Sequence, residues 1–130
     1  MNKKLIWIGT IFILTAIMAG CNGTEQAQEN TNDLVTITLS TNPTTPVVGK
    51  TELILEIQDD EGQPMSDAKV EVSADHSDMS GMTLTGFASE QEDGKYAIEA
   101  EFSMSGNWEV TVLVQKESLN IAKDFELKIP

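Results

Sequence analysis

The sequence predicts an all-β protein: an immunoglobulin-like antiparallel β-sandwich of about seven strands, preceded by a signal peptide. Three observations carry this. After residue 33, apolar and polar residues alternate with period two, and no sustained 3.6-residue period appears. Clusters of Gly, Pro, Asp and Asn interrupt the alternation about every 8–12 residues, the spacing of turns in such a domain. Residues 34–130 also have the length of one such domain.

The elements follow in order. Residues 34–39 (LVTITL) are the first strand. Pro43 and Pro46 stop it, because proline has no N–H to give to a ladder. Residues 51–58 place Leu53, Leu55 and Ile57 on one face, and residues 59–64 (DDEGQP) make a turn. Residues 68–74 turn Val70 and Val72 inward between Lys69, Glu71 and Ser73. Residues 75–81 read as a polar loop. Residues 82–88 are a short strand with Met82, Leu84 and Gly86 on one face, and residues 89–94 read as an acidic turn.

The last three strands alternate most clearly. Residues 95–102 set Tyr96, Ile98, Ala100 and Phe102 against Lys95, Ala97, Glu99 and Glu101. Residues 103–107 are a loop. Residues 108–115 set Trp108, Val110, Val112 and Val114 on one face. Residues 121–129 do the same with Ile121, Phe125, Leu127 and Ile129, and Lys123 interrupts that face, which suits a strand at a sheet edge. The chain has one Cys, so no internal disulfide can pin the two sheets. Trp108, Phe102, Phe125 and Tyr96 are expected to fill the centre instead, each aromatic burying roughly 150–250 Å².

The first 20 residues are of another kind. A short basic start with Lys3 and Lys4 leads into an apolar run (LIWIGTIFILTAIMA) and then Gly20 and Cys21. This is the layout of a secretory signal, and the run falls short of the roughly 20 apolar residues that a membrane span needs. Met18-Ala19-Gly20-Cys21 resembles the bacterial lipobox, with Met18 in place of the commoner Leu. That resemblance implies cleavage before Cys21, a diacylglycerol on its thiol, and a bacterial lipoprotein held at the outer face of the cell membrane. Two acyl chains give the stable anchoring that a single chain does not. A free thiol on a cleaved soluble protein is the alternative. Residues 22–33 (NGTEQAQENTND) carry no large apolar side chain and read, with Cys21, as a flexible polar linker. Such a coil of 12 residues spans about 20 Å.

Eight Lys, no Arg and 21 acidic residues give a net charge of −13. Removal of residues 1–20 leaves six Lys and −15. A polyanionic nucleic acid finds no basic footprint here, and anionic lipid offers no electrostatic docking.

Two further segments carry a family resemblance. One is GKYAIEA at 94–100 followed by FSMSGNWEVTV at 102–112; the other is PMSDAKV at 64–70 followed by MSGM at 79–82. Together they resemble the YtkA-like domain, which is related to FixH-like proteins, over about residues 45–130. The usual loop of that family holds more Met and a Pro than the DHSDMSGM at 75–82. The resemblance implies a small exported sandwich and a link to copper handling.

The residues offer a soft-ligand set. His76, Met79 and Met82 form an H-x-x-M-x-x-M run, and Met104 sits in a later loop. Imidazole and thioether suit Cu(I), and thioether is a poor ligand for hard cations. In a sandwich of successive antiparallel strands, the 75–81 and 103–107 loops lie at the same end, where Trp108 would shield the cluster. The alternative is plain packing, since Met fills core gaps and sits well on aromatic rings. Zinc is disfavoured by the single His, and DDEG at 59–62 lacks calcium-loop spacing. No nucleophile turn or phosphate loop appears, so no enzymatic activity is expected. Two functions remain. The first is a tethered binding domain that holds or delivers Cu(I). The second is an accessory lipoprotein that contacts a membrane-protein partner and has no metal site.

Overall fold

The computed structural model describes residues 28–31 and 34–130, and of residues 28–31 the backbone only. The predicted signal peptide at 1–20 and the acylation site Cys21 lie outside the described residues. Eight strands follow in order: β1 (Gln28–Thr31), β2 (Val35–Asn42), β3 (Gly49–Asp59), β4 (Lys69–His76), β5 (Thr83–Glu92), β6 (Lys95–Phe102), β7 (Gly106–Lys116) and β8 (Leu119–Ile129). Every neighbouring pair is antiparallel, in the order β1-β2-β3-β6-β5-β4-β7-β8. The fold is all-β, as the alternation requires. Lys123 lies on β8, the last strand of that order, as its polar interruption suggests.

The two faces of the sandwich meet through β5. Its first half pairs with β4, from Thr83 opposite Asp75 to Ala88 opposite Val70. Its second half pairs with β6, from Ser89 opposite Ala97 to Glu92 opposite Lys95, with a register shift between Glu90 and Glu92. One strand thus passes from one sheet to the other and nearly closes the structure. Gly86 sits at this passage: a Cβ there would lie 2.8 Å from Ile98 Cδ1. The glycine leaves room for the Ile98 side chain between the diverging strands.

Alternation puts Val35, Ile37, Leu39, Leu53, Leu55 and Ile57 into the core from β2 and β3. Val70, Val72, Ala74, Val110, Val112 and Val114 face them from β4 and β7. Trp108, Phe102, Phe125 and Tyr96 are all buried in the core as expected, but they are not gathered at its centre: Phe102 and Trp108 lie together towards one end, and Tyr96 reaches the β3–β4 connection.

Most boundaries differ from the sequence reading. β2 runs on through Asn42, β3 spans Gly49–Asp59, β5 starts at Thr83 so that Met82 is in the preceding loop, and β8 starts at Leu119. There are four further differences. Gln28–Thr31, inside the expected linker, pairs with β2 from Gln28 opposite Leu39 to Thr31 opposite Thr36. A ladder needs only main-chain groups, so a polar segment can join an edge that is already buried beneath. β4 continues two residues beyond Ala74, through His76. β5 continues through Glu92, which reduces the acidic turn to Asp93-Gly94, a strong two-residue hairpin pair. β7 begins at Gly106, inside the expected 103–107 loop.

Tyr96 pins the connection between β3 and β4. Its hydroxyl donates to the Met65 carbonyl at 2.8 Å and accepts from the Ala68 N–H at 3.0 Å. Tyr96→Phe leaves both backbone groups without that partner and is expected to cost about 1–3 kcal/mol in urea unfolding. Burial pushes the hydroxyl above its ordinary range, the Ala68 N–H opposes this, and Glu90 and Asp67 add to the rise. The sign follows from linkage: the unfolded chain releases this proton first, so the contribution is complete below about pH 10 and is lost as pH rises through the folded value. The chain has one Tyr, so ultraviolet titration of the phenolate reads the group directly.

Candidate functional site

Inward-facing residues of β4 recur every second position: Val70, Val72, Ala74 and then His76. His76 is therefore the last rung of the core side of β4 and is 8% exposed, not a solvated loop residue. It stands opposite Trp108 in the β4–β7 register. The imidazole meets the indole edge to face, with centroids 5.0 Å apart at 80°. Phe102, the last residue of β6, also meets the indole edge to face, at 5.1 Å and 70°. A row of three rings thus crosses this end of the sandwich.

Three loops surround the row. The 77–82 loop follows β4, the 103–105 loop joins β6 to β7, and the 43–48 loop joins β2 to β3, whose first residue Gly49 pairs with Phe102. The two loops expected to face each other do so. Ser77 N–H donates to the Asn107 carbonyl at 2.9 Å, and His76 Nε2 lies 3.1 Å from the Ser105 carbonyl. The four predicted ligand residues are all at this end. His76 N–H donates to the Met82 carbonyl at 3.1 Å, and Met79 N–H donates to the His76 carbonyl at 3.3 Å. Trp108 Nε1–H donates to the Met104 carbonyl at 3.3 Å. Met82 and Met104 are half-buried and pack against the core, whereas Met79 is 46% exposed.

Both ring nitrogens of His76 have protein partners. Nδ1 accepts from the Asp78 N–H at 3.2 Å. Ser105 offers only a carbonyl oxygen, so Nε2 carries the proton and donates to it. Among the described residues, no group of three or more His, Cys, Asp or Glu is placed to hold a metal ion. The residues gathered at this end carry one imidazole and three thioethers, and such a composition would suit a soft ion and not a hard one.

Gly106 and Thr51 shape the end and were not singled out by the sequence. Gly106 has φ +127°, and a Cβ there would lie 2.5 Å from His76 Nε2. Thr51 is buried, and its hydroxyl accepts from Val47 N–H at 3.1 Å and donates to the Val47 carbonyl at 3.2 Å. This fixes the 43–48 loop with Val47 and Val48 half out in solvent. A separate open cavity of about 140 Å³ lies beneath β5, floored by Leu53, Val72, Leu84 and Ile98 and rimmed by Glu99 and Glu101. Among the described residues, no helix is long and apolar enough to cross a membrane.

Comparison with known proteins bears on the fold and the family. The model of a family described as YtkA-like matches residues 29–113, further towards the N-terminus than the resemblance read at 45–130. No curated protein matches the sequence. Among solved structures, the soluble domain of PmoD from Methylocystis sp. ATCC 49242 (Rockwell) superposes with a TM-score of 0.55 at 16% identity, covering 81% of this chain and 98% of that one. A copper-bound, singly substituted variant of FetP from uropathogenic Escherichia coli strain F11 gives a TM-score of 0.54 at 12% identity, covering 78% and 93%. FetP from the same strain, as isolated, gives 0.52 at 14% identity, covering 78% and 91%. At these identities the likeness is one of fold.

Proposed function

This chain belongs to the YtkA-like family, and from that premise we propose that it is a non-enzymatic binding domain that holds or delivers Cu(I) outside the bacterial cytoplasmic membrane. A lipid on Cys21 tethers it there. The observation that carries the reading is the placement of His76, at the end of β4, beside the two facing loops that hold Met79, Met82 and Met104 at one end of the sandwich. The copper-bound FetP variant, which shares the fold, supports it. His76 would supply nitrogen and the three Met residues sulfur. Trp108 would hold the His76 ring in place and keep water from its inner face.

The test is a titration of the full chain with Cu(I) against a competing chelator, in the Cys21→Ser background so that no thiol competes. Met79→Leu, Met82→Leu and Met104→Leu together keep volume and apolarity and remove only the sulfurs. The triple variant is expected to bind at least about tenfold more weakly, a loss that even outer-shell changes can produce. Equal, negligible uptake by both proteins would sink the copper reading.

A second reading is favoured by a different observation. Val47, Val48 and Met79 are exposed at this same end, and the buried Thr51 hydroxyl is spent on holding the Val47 backbone. A fixed, exposed apolar rim suits contact with a membrane-protein partner. In that case the Met residues pack, and Val47→Ser with Val48→Ser abolishes association without touching metal uptake.

A further inference from the structure

We infer that His76 takes a soft metal ion through Nδ1, and that the backbone N–H of Asp78 holds that position until the ion arrives. The inference rests on the copper reading above and adds to it the ligating atom and the part of the chain that must move.

The two ring nitrogens are not equivalent. Nε2 is closed off by backbone. It is bonded to the Ser105 carbonyl at 3.1 Å, and Gly106 approaches so closely that even a Cβ there would come to 2.5 Å. The edge-to-face contact with Trp108 stops the ring from swinging away. A nitrogen that carries a proton cannot coordinate, so the Ser105 bond leaves the lone pair on Nδ1. The same bond orients the ring, as the partners of metal-bound histidines generally do.

Nδ1 faces the 77–82 loop. Its partner is the N–H of Asp78, an exposed residue next to Met79. Displacing that N–H moves it from an imidazole to water, a modest exchange. The loop is built to allow it. Its ends are held by Ser77 N–H to Asn107 at 2.9 Å and by His76 N–H to Met82 at 3.1 Å. Its tip is held by the Asp78 and Met79 amides at 3.2 and 3.3 Å, both to His76 itself. The tip can therefore open while β4 stays paired to β7. Asp78 and Met79 are adjacent, so releasing one nitrogen of His76 also frees the most exposed thioether of the set.

The experiment uses the full chain carrying Cys21→Ser, ¹⁵N-labelled, in detergent micelles, with Ag(I) as a closed-shell probe for Cu(I). Long-range ¹⁵N spectra report the two ring nitrogens of His76, and hydrogen exchange reports the Asp78 amide. The expected result is an Nε2–H ring without metal. With Ag(I), Nδ1 shifts, Nε2 keeps its proton, and Asp78 exchange quickens by at least about tenfold while Ser77 stays protected. An Nδ1–H ring without metal overturns the inference. So does Ag(I) bound at Nε2, or Ag(I) bound with both nitrogens and Asp78 unchanged; the last two leave the metal reading standing. No uptake of Ag(I) or Cu(I) overturns both.

Discussion

Gly106→Ala is expected to destabilise the protein by about 2–6 kcal/mol, with overpacking and backbone strain each contributing roughly 1–3. The backbone there has φ +127°, a conformation that side chains rarely tolerate. The new methyl would lie 2.5 Å from His76 Nε2. A flexible side-chain end would step aside, but His76 is buried, bonded at both nitrogens and seated on Trp108. Urea unfolding followed by circular dichroism measures the loss. The His76 ring spectrum should change with it, since the Ser105 bond is the first contact broken. A loss below about 0.5 kcal/mol, the scale of an ordinary surface change, would mean that this end yields far more readily than its packing implies.

Trp108→Ala is expected to cost about 3–5 kcal/mol, the range for removing a buried large aromatic. Trp108 is 1% exposed and joins Phe102 of one sheet to His76 of the other. Its removal opens a cavity between the sheets and strips the Met104 carbonyl of its N–H donor. Trp108→Phe keeps a ring in the gap and should lose less, so the pair of variants separates packing from the hydrogen bond. On the proposed copper reading, both should also weaken Cu(I) uptake beyond their effect on stability, because the ring that carries Nδ1 loses its seat. Uptake unchanged in a folded Trp108→Phe protein would remove Trp108 from the support of the site.

Much of this architecture can be read from residue patterns. β6 spans Lys95–Phe102 as expected, because strict alternation starts directly after an Asp-Gly hairpin pair. β1 gives no such signal: QENT has no apolar residue, and its pairing rests on backbone groups that every sequence carries. Phe87 is 59% exposed on a strand whose opposite face is only half-buried, and the Lys69 ammonium lies 4.9 Å from its ring centre.

For the site, topology placed the two loops together from strand count alone. The polar run DHSD hid the fact that His76 continues the inward series of β4, though the two-residue step from Ala74 was there to be counted. The partners of the imidazole were beyond reach for a different reason. Asp78 contributes its amide N–H and Ser105 its carbonyl, and neither group leaves a mark in side-chain identity.

The passage of β5 between the sheets has a consequence for how the molecule opens. Neither face can part from the other without breaking β5 away from β4 or from β6. The main-chain amides at the centres of β3 and β7, on opposite faces, should therefore exchange with solvent only through the same rare event, the loss of the whole fold, and report one common free energy.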